Sequence, residues 1–166
     1  MNRISRLLRE RPLRNVLLAG LTVAVALPVL NARAAEEAPV RLAAPPPAPK
    51  LETDTFLVEI TAGGPYKSGA AGSVKVTLTT KGVFHINSQY PYRFKAASPP
   101  EGVSYPKPVL ERGDAQFEEK KAVFTLPFVA SHAGKFTVGG VFSMSVCSAG
   151  SCIMQKASLE IPVTVQ

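Results

Sequence analysis

From residue 51 onward, large apolar side chains fall on every second position in short runs separated by Gly, Pro and Ser. Phe56, Val58 and Ile60 alternate with Leu57, Glu59 and Thr61, and Val74, Val76 and Leu78 alternate with Ser73, Lys75, Thr77 and Thr79. Phe84 and Ile86 continue the pattern, as do Ala122, Phe124, Leu126 and Phe128. The longest series is Phe136, Val138, Phe142, Met144 and Val146, and the chain closes on Leu159, Ile161, Val163 and Val165. A period of two buries one face of a strand and wets the other. Several such strands at short spacing, with frequent Pro and Gly and no amphipathic helix, predict an all-β, antiparallel sandwich. Pro127 and Pro162 interrupt two of the runs and should mark edge positions or bulges, because proline cannot donate to a ladder. Residues 90–116 carry Pro91, Pro99, Pro100, Pro106 and Pro108, and read as loops with one short strand over residues 103–105.

The N-terminal third reads differently. Residues 2–15 are rich in Arg, residues 16–30 (VLLAGLTVAVALPVL) are uncharged and apolar, and Ala32-Arg33-Ala34 gives a small-x-small step. That order is the signature of a cleavable secretory signal over residues 1–34. The apolar run is shorter than the roughly 20 residues a spanning helix needs, so no stable membrane span is expected in the mature form. Residues 35–50 (EEAPVRLAAPPPAP and its flanks) lack periodicity and bulky side chains, and predict a disordered Pro/Ala-rich leader. Residues 51–166 then form one domain of ordinary size. The predicted location is periplasmic or secreted.

Charge changes the picture less than its total suggests. The formal net charge is +7, but six Arg and one Glu lie in the first 34 residues, leaving about +2 beyond Ala34. A phosphate-neutralising stripe would have to persist in the folded part, so nucleic acid is not an expected partner.

Export gives the two cysteines, Cys147 and Cys152, their meaning. Disulfides persist outside the cytosol, and two cysteines allow one intramolecular connectivity. Ser148-Ala149-Gly150-Ser151 between two strand patterns suits a hairpin loop. The cysteines would then oppose each other at about 4.5–5.5 Å between Cα atoms, within disulfide range. Phe142, Met144 and Val146 take the core parity on one strand, and Leu159, Ile161 and Val163 on the other. Both sulfurs are therefore expected to point away from the core and to be exposed. A structural staple closing so short a ring contributes roughly 2 kcal/mol, whereas thiol–disulfide exchange needs an accessible sulfur. Composition and parity leave both readings open.

From about Ser73 the order of motifs resembles the N-terminal periplasmic domain of the thiol:disulfide interchange protein DsbD. The resemblance runs through Gly82-Val83-Phe84-His85-Ile86-Asn87-Ser88, then Pro100-Glu101-Gly102-Val103 and Tyr105-Pro106, then Phe124-Thr125-Leu126-Pro127-Phe128, and ends on the paired-cysteine hairpin. It departs after the second cysteine, where Ile153-Met154-Gln155 stand in place of the family's prolines. The family's transmembrane and thioredoxin-like domains have no counterpart in these 166 residues. The resemblance implies an immunoglobulin-like sandwich in which Cys147 and Cys152 form the redox site, with no cofactor. It further implies separate thiol-redox proteins of the cell envelope as partners, a thioredoxin-like donor or acceptor, and a loop within residues 106–113 that can cap the cysteines.

Two alternatives stand beside it. One is a non-redox immunoglobulin-like interaction module with a structural bridge, since fold alone never settles function. The other is Cu(I) binding, because Cys147, Cys152 and Met154 share a parity and soft sulfur ligands select Cu(I); Met144 points inward and no histidine adjoins the pair in sequence. His85, on the parity opposite Phe84 and Ile86, is expected to face solvent, and His132 lies in a turn. The sequence assigns neither as the base that a hydrolytic nucleophile would require.

Overall fold

The computed structural model describes residues 46–166; the segment expected to be a secretory signal and most of the expected leader lie outside the described residues. Strands follow the chain as β1 (Lys50–Glu52), β2 (Phe56–Ala62), β3 (Ala71–Thr80), β4 (His85–Ile86), β5 (Arg93–Ala96), β6 (Val103–Ser104), β7 (Val109–Glu111), β8 (Ala115–Phe117), β9 (Lys121–Ala130), β10 (Gly134–Cys147) and β11 (Cys152–Val165). A single 3-10 turn, Arg112–Asp114, joins β7 to β8. One sheet runs β1-β2-β3-β9-β6 with β8 also on β9, and the other runs β11-β10-β5-β7 with β4 also on β10. All of these strand pairings are antiparallel. The fold is an immunoglobulin-like antiparallel β-sandwich.

The alternation seen in the sequence is what builds its core. Val58, Val76, Leu78, Phe124 and Leu126 from one sheet meet Phe94, Val138, Phe142 and Leu159 from the other, all fully buried. Phe124 and Phe142 touch edge to face across the layers with ring centroids 5.0 Å apart. Each such side chain removed from water contributes roughly 1.5–3 kcal/mol, which drives the two apolar faces together.

Where the structure departs from the alternation, prolines and close contacts explain why. Residues 90–116, read from the sequence as loops with one short strand, also supply β5, β7 and the start of β8. Arg93-Phe94-Lys95-Ala96 does alternate, with Phe94 and Ala96 buried, but four residues between prolines give too short a pattern to stand out. Pro127 lies inside β9, whose ladder to β3 is unbroken; on its other side it falls between the residues paired to β8 (Ala122–Phe124) and those paired to β6 (Val129, Ala130). No ladder hydrogen bond is lost there. Pro162 lies on the outer strand β11.

The strand path also begins earlier than residue 51. Lys50 opens β1, and Ala48 makes a parallel bridge to Leu159, with the Glu160 N–H donating to the Ala48 carbonyl at 3.1 Å. The last residues of the segment expected to be a mobile leader are thus held on β11.

β10 is the most enclosed strand, and two glycines make that possible. A Cβ on Gly139 would stand 2.1 Å from the Leu159 carbonyl oxygen, and one on Gly140 would stand 2.2 Å from the Lys95 oxygen. Backbones on both flanks approach where no side chain fits.

Candidate functional site

The β10–β11 hairpin carries the cysteines at its tip. Its register is unbroken from Gly134↔Val165 to Cys147↔Cys152, so no bulge reverses either strand's faces. Beyond the pair, the Ser148 N–H donates to the Ser151 carbonyl at 2.8 Å, leaving Ala149-Gly150 as the tip. Cys147 and Cys152 form a disulfide with Cα atoms 4.0 Å apart. Because hydrogen-bonded and non-hydrogen-bonded pairs alternate along an antiparallel ladder, the cysteines occupy the close, non-hydrogen-bonded kind of position, where side chains approach most readily. Met144 and Val146 are buried toward the core as the parity required, and Cys147 and Cys152 lie on the opposite face.

The two sulfur-bearing residues are not equally accessible. Cys152 is exposed, but Cys147 is only 7% exposed. This corrects the expectation that both would be open, and the cause is lateral. β4 lies against β10 on the side away from β11, pairing Cys147 with His85 and Val146 with Ile86. Cys147 therefore has a neighbour on each side. Cys152, at the start of the outer strand, has one.

A small polar network fixes β4 in that place. The Asn87 N–H donates to the Tyr92 hydroxyl at 3.0 Å and lies 3.3 Å from the Ser145 carbonyl, while Asn87 Nδ2 donates to Ser145 Oγ at 3.2 Å. The Tyr92 hydroxyl in turn donates to the Ser145 carbonyl. Ser145 shares the cysteines' parity yet is 0% exposed, because this segment covers it. Burial pushes the Tyr92 phenol up to about 12. The Ile86 N–H donates to the Glu119 carbonyl at 2.9 Å, and Ile86 itself is buried. The Gly82–Asn87 motif noted in the sequence thus has a job: Gly82 turns at φ 56°, Ile86 anchors in the core, and Asn87 pins the register.

His85 consequently does not simply face solvent. It is half-buried and sits beside Cys147. His132 is exposed in its turn, 5.2 Å from the Phe136 ring centroid, and takes no part. Met154, register partner of Ser145, lies two residues past Cys152 on the same face and is 71% exposed. Val83, two residues before His85, is 79% exposed. Among the described residues, no group of three His, Cys, Asp or Glu side chains is arranged for a metal ion.

Residues 106–113, where the sequence placed a cap for the cysteines, join the edge of the sheet instead. Val109–Glu111 pair with β5, with Glu111 opposite Arg93, and Arg93 is opposite Ser143. That puts β7 two strands over from β10, with β5 between them, and four residues short of Cys147, about 13 Å along the strand. Arg93 and Glu111 form an exposed ion pair at 2.7 Å, beside a hollow of about 390 Å³ lined by Tyr90, Tyr92 and Arg112. In the ladder, the segment that shields a cysteine is β4. Sequence reasoning missed Asn87, Ser145 and Tyr92 as the supports of that arrangement.

No protein-family model matches the chain, and no curated protein does. Among solved structures it is similar to BslA, a bacterial hydrophobin, with a TM-score of 0.34 and 12% identity, covering 68% of this chain and 95% of that one. It is also similar to AggA, the major subunit of aggregative adherence fimbriae type I from Escherichia coli, with a TM-score of 0.33 and 14% identity, covering 69% and 98%. No helix among the described residues is long and apolar enough to cross a membrane.

Proposed function

We propose that this protein is a thiol–disulfide exchange domain of the cell envelope, acting through the Cys147–Cys152 pair and related to the N-terminal domain of DsbD. The observation that carries the reading is the asymmetry of the pair: a disulfide at a hairpin tip with Cys152 exposed and Cys147 covered. Exchange proceeds by thiolate attack on a disulfide sulfur and depends on which sulfur can be reached. A partner thiolate bonds to Cys152 Sγ as the Cys147–Cys152 bond breaks, and the electron pair passes to Cys147 Sγ. The partner's second thiolate then attacks its own bridging sulfur and frees Cys152. The partner dithiol is oxidised, the pair is reduced, and two protons accompany the two electrons. The exposed Met154 and Val83 on either side of the tip offer apolar contact to a thioredoxin-like partner.

Single-cysteine variants test this. Cys147→Ser and Cys152→Ser should both stay folded by circular dichroism, since the bridge closes a ring worth only about 2 kcal/mol, and both should lose catalytic exchange with a reduced thioredoxin. Cys147→Ser should attack the aromatic disulfide 5,5′-dithiobis(2-nitrobenzoate), releasing its thiobenzoate, at least about tenfold faster than Cys152→Ser, following thiol access. Unfolding of either variant would instead favour a structural bridge in an interaction module.

A further inference from the structure

Opening the disulfide at Cys152 leaves a thiolate on Cys147, the residue of the pair that is only 7% exposed. An uncompensated anion in such surroundings is costly, because burial favours the neutral thiol. Something beside Cys147 has to offset that cost if the pair is to exchange readily. The side toward β11 is taken by Cys152 itself. On the other side the register partner is His85. Paired residues of an antiparallel ladder project from the same face, with Cβ atoms about 5 Å apart, so the imidazole and the thiol are adjacent on that face.

The placement is built rather than incidental. β4 is only two residues long and could not hold a register by itself, yet Asn87, Ser145 and Tyr92 lock the next residue, and Ile86 is tied to Glu119 and the core. His132, by contrast, sits in an exposed turn with its Nδ1 3.1 Å from the Ala133 carbonyl.

We propose that His85 is the acid–base partner of Cys147: its N–H holds the Cys147 thiolate as that sulfur leaves, and returns it as the nucleophile when the pair is reoxidised. The inference rests on the exchange reading of the pair. A neighbouring imidazolium lowers a thiol's proton affinity, and a less basic thiolate is the better leaving group. The other ionisable groups on the elements packed around the tip include Lys156 on β11, Arg93 on β5, which is opposite Ser143 and ion-paired with Glu111, Glu118, Glu119 and Lys120 in the β8–β9 turn, and Tyr90 and Tyr92. Lys120 Nζ donates to the Gly82 carbonyl at 2.7 Å, and Lys156 is opposite Ser143 rather than Cys147. Ordinary carboxylates, amines and phenols titrate outside pH 5–8, the range in which histidine changes charge.

The test uses the Cys152→Ser protein, in which Cys147 is the sole thiol, with and without His85→Ala, His85→Gln and His85→Lys. Thiolate absorbance at 240 nm is followed against pH, with circular dichroism confirming the fold. His85→Ala and His85→Gln should raise the midpoint of Cys147 ionisation by about one pH unit, a tenfold loss of thiolate preference, and His85→Lys should restore it. In the two-cysteine protein, reduction by dithiothreitol, corrected for the reagent's own thiolate, should show a step between pH 5 and 8 that His85→Ala abolishes. The reduction equilibrium should fall by up to tenfold, about 30 mV for a two-electron couple. An unchanged Cys147 midpoint in both neutral variants overturns the role of His85. The midpoint needs no protein partner, so an envelope partner that fails to exchange counts against the functional reading and leaves this result to stand by itself.

Discussion

β10 and β11 belong to one hairpin, carry one cysteine each, and give those cysteines opposite surroundings. β10 has β11 along its whole length on one side, and on the other it has β5 at Gly140–Ser143 and then β4 at Val146 and Cys147. It needs Gly139 and Gly140 to admit those neighbours. β11 has β10 on one side, and on the other only the isolated bridges from Ala48 to Leu159 and from Tyr66 to Val165, both away from the cysteine end of the strand. The disulfide therefore spans a covered sulfur-bearing residue and an open one. For exchange this is a useful division of labour, because a partner meets a single target, Cys152, while the sulfur that leaves is held in a defined environment. A purely structural staple gains nothing from the difference.

The enclosure of β10 can be broken directly. Gly140→Ala forces a methyl into the Lys95 backbone, and should destabilise the domain by about 3 kcal/mol in urea unfolding. A change below 1 kcal/mol would mean that β5 does not press on β10 as described. Loosening the cover over Cys147 is the next largest effect. Tyr92→Phe removes the hydroxyl that joins Asn87 to Ser145 and leaves the Asn87 N–H and the Ser145 carbonyl only their longer 3.3 Å contact with each other, which should cost about 1–3 kcal/mol. The same variant should make Cys147 more reactive toward alkylating reagents in the reduced protein, narrowing its gap from Cys152.

Tyr92 also gives the comparison a pH signature. Its folded-state value is raised, to about 12, so folding favours the protonated phenol. That contribution is complete below the ordinary value of about 10 and fades as pH climbs through 12. Stability should therefore fall across this alkaline window in the wild type, and fall less in Tyr92→Phe. The smallest effect belongs to the open strand. Met154→Ala, on a side chain 71% exposed, should move stability by less than about 0.5 kcal/mol. If exchange with a thioredoxin-like protein slows while the rate with dithiothreitol holds, Met154 contacts the partner.

Much of this was legible in the sequence, for a physical reason. Parity is a local property of a strand, so alternating residues identified the core faces of β2, β3, β9, β10 and β11, and put the cysteines off the core on a shared face. The hairpin followed from four small residues between two strong patterns. Accessibility is not local. Cys147 is covered because His85 and Ile86, remote in the chain, arrive beside β10, and no periodicity in either segment announces that meeting. The short strands β5 and β7 were hidden by flanking prolines, which signal loops more strongly than three or four alternating residues signal a strand. One signal was present and unused: adjacent glycines inside the longest strand pattern mark a close backbone approach, and Gly139-Gly140 is where β10 is squeezed.

The Cys147–Cys152 disulfide is proposed to exchange with other thiols instead of stapling the hairpin. Its most direct test is the reduction potential of the pair in the purified domain, measured by equilibration in glutathione or dithiothreitol buffers and thiol trapping. The expected potential lies above about −300 mV, in the range of disulfides that exchange. A pair that remains oxidised well below that value would contradict it and leave the bridge a structural one.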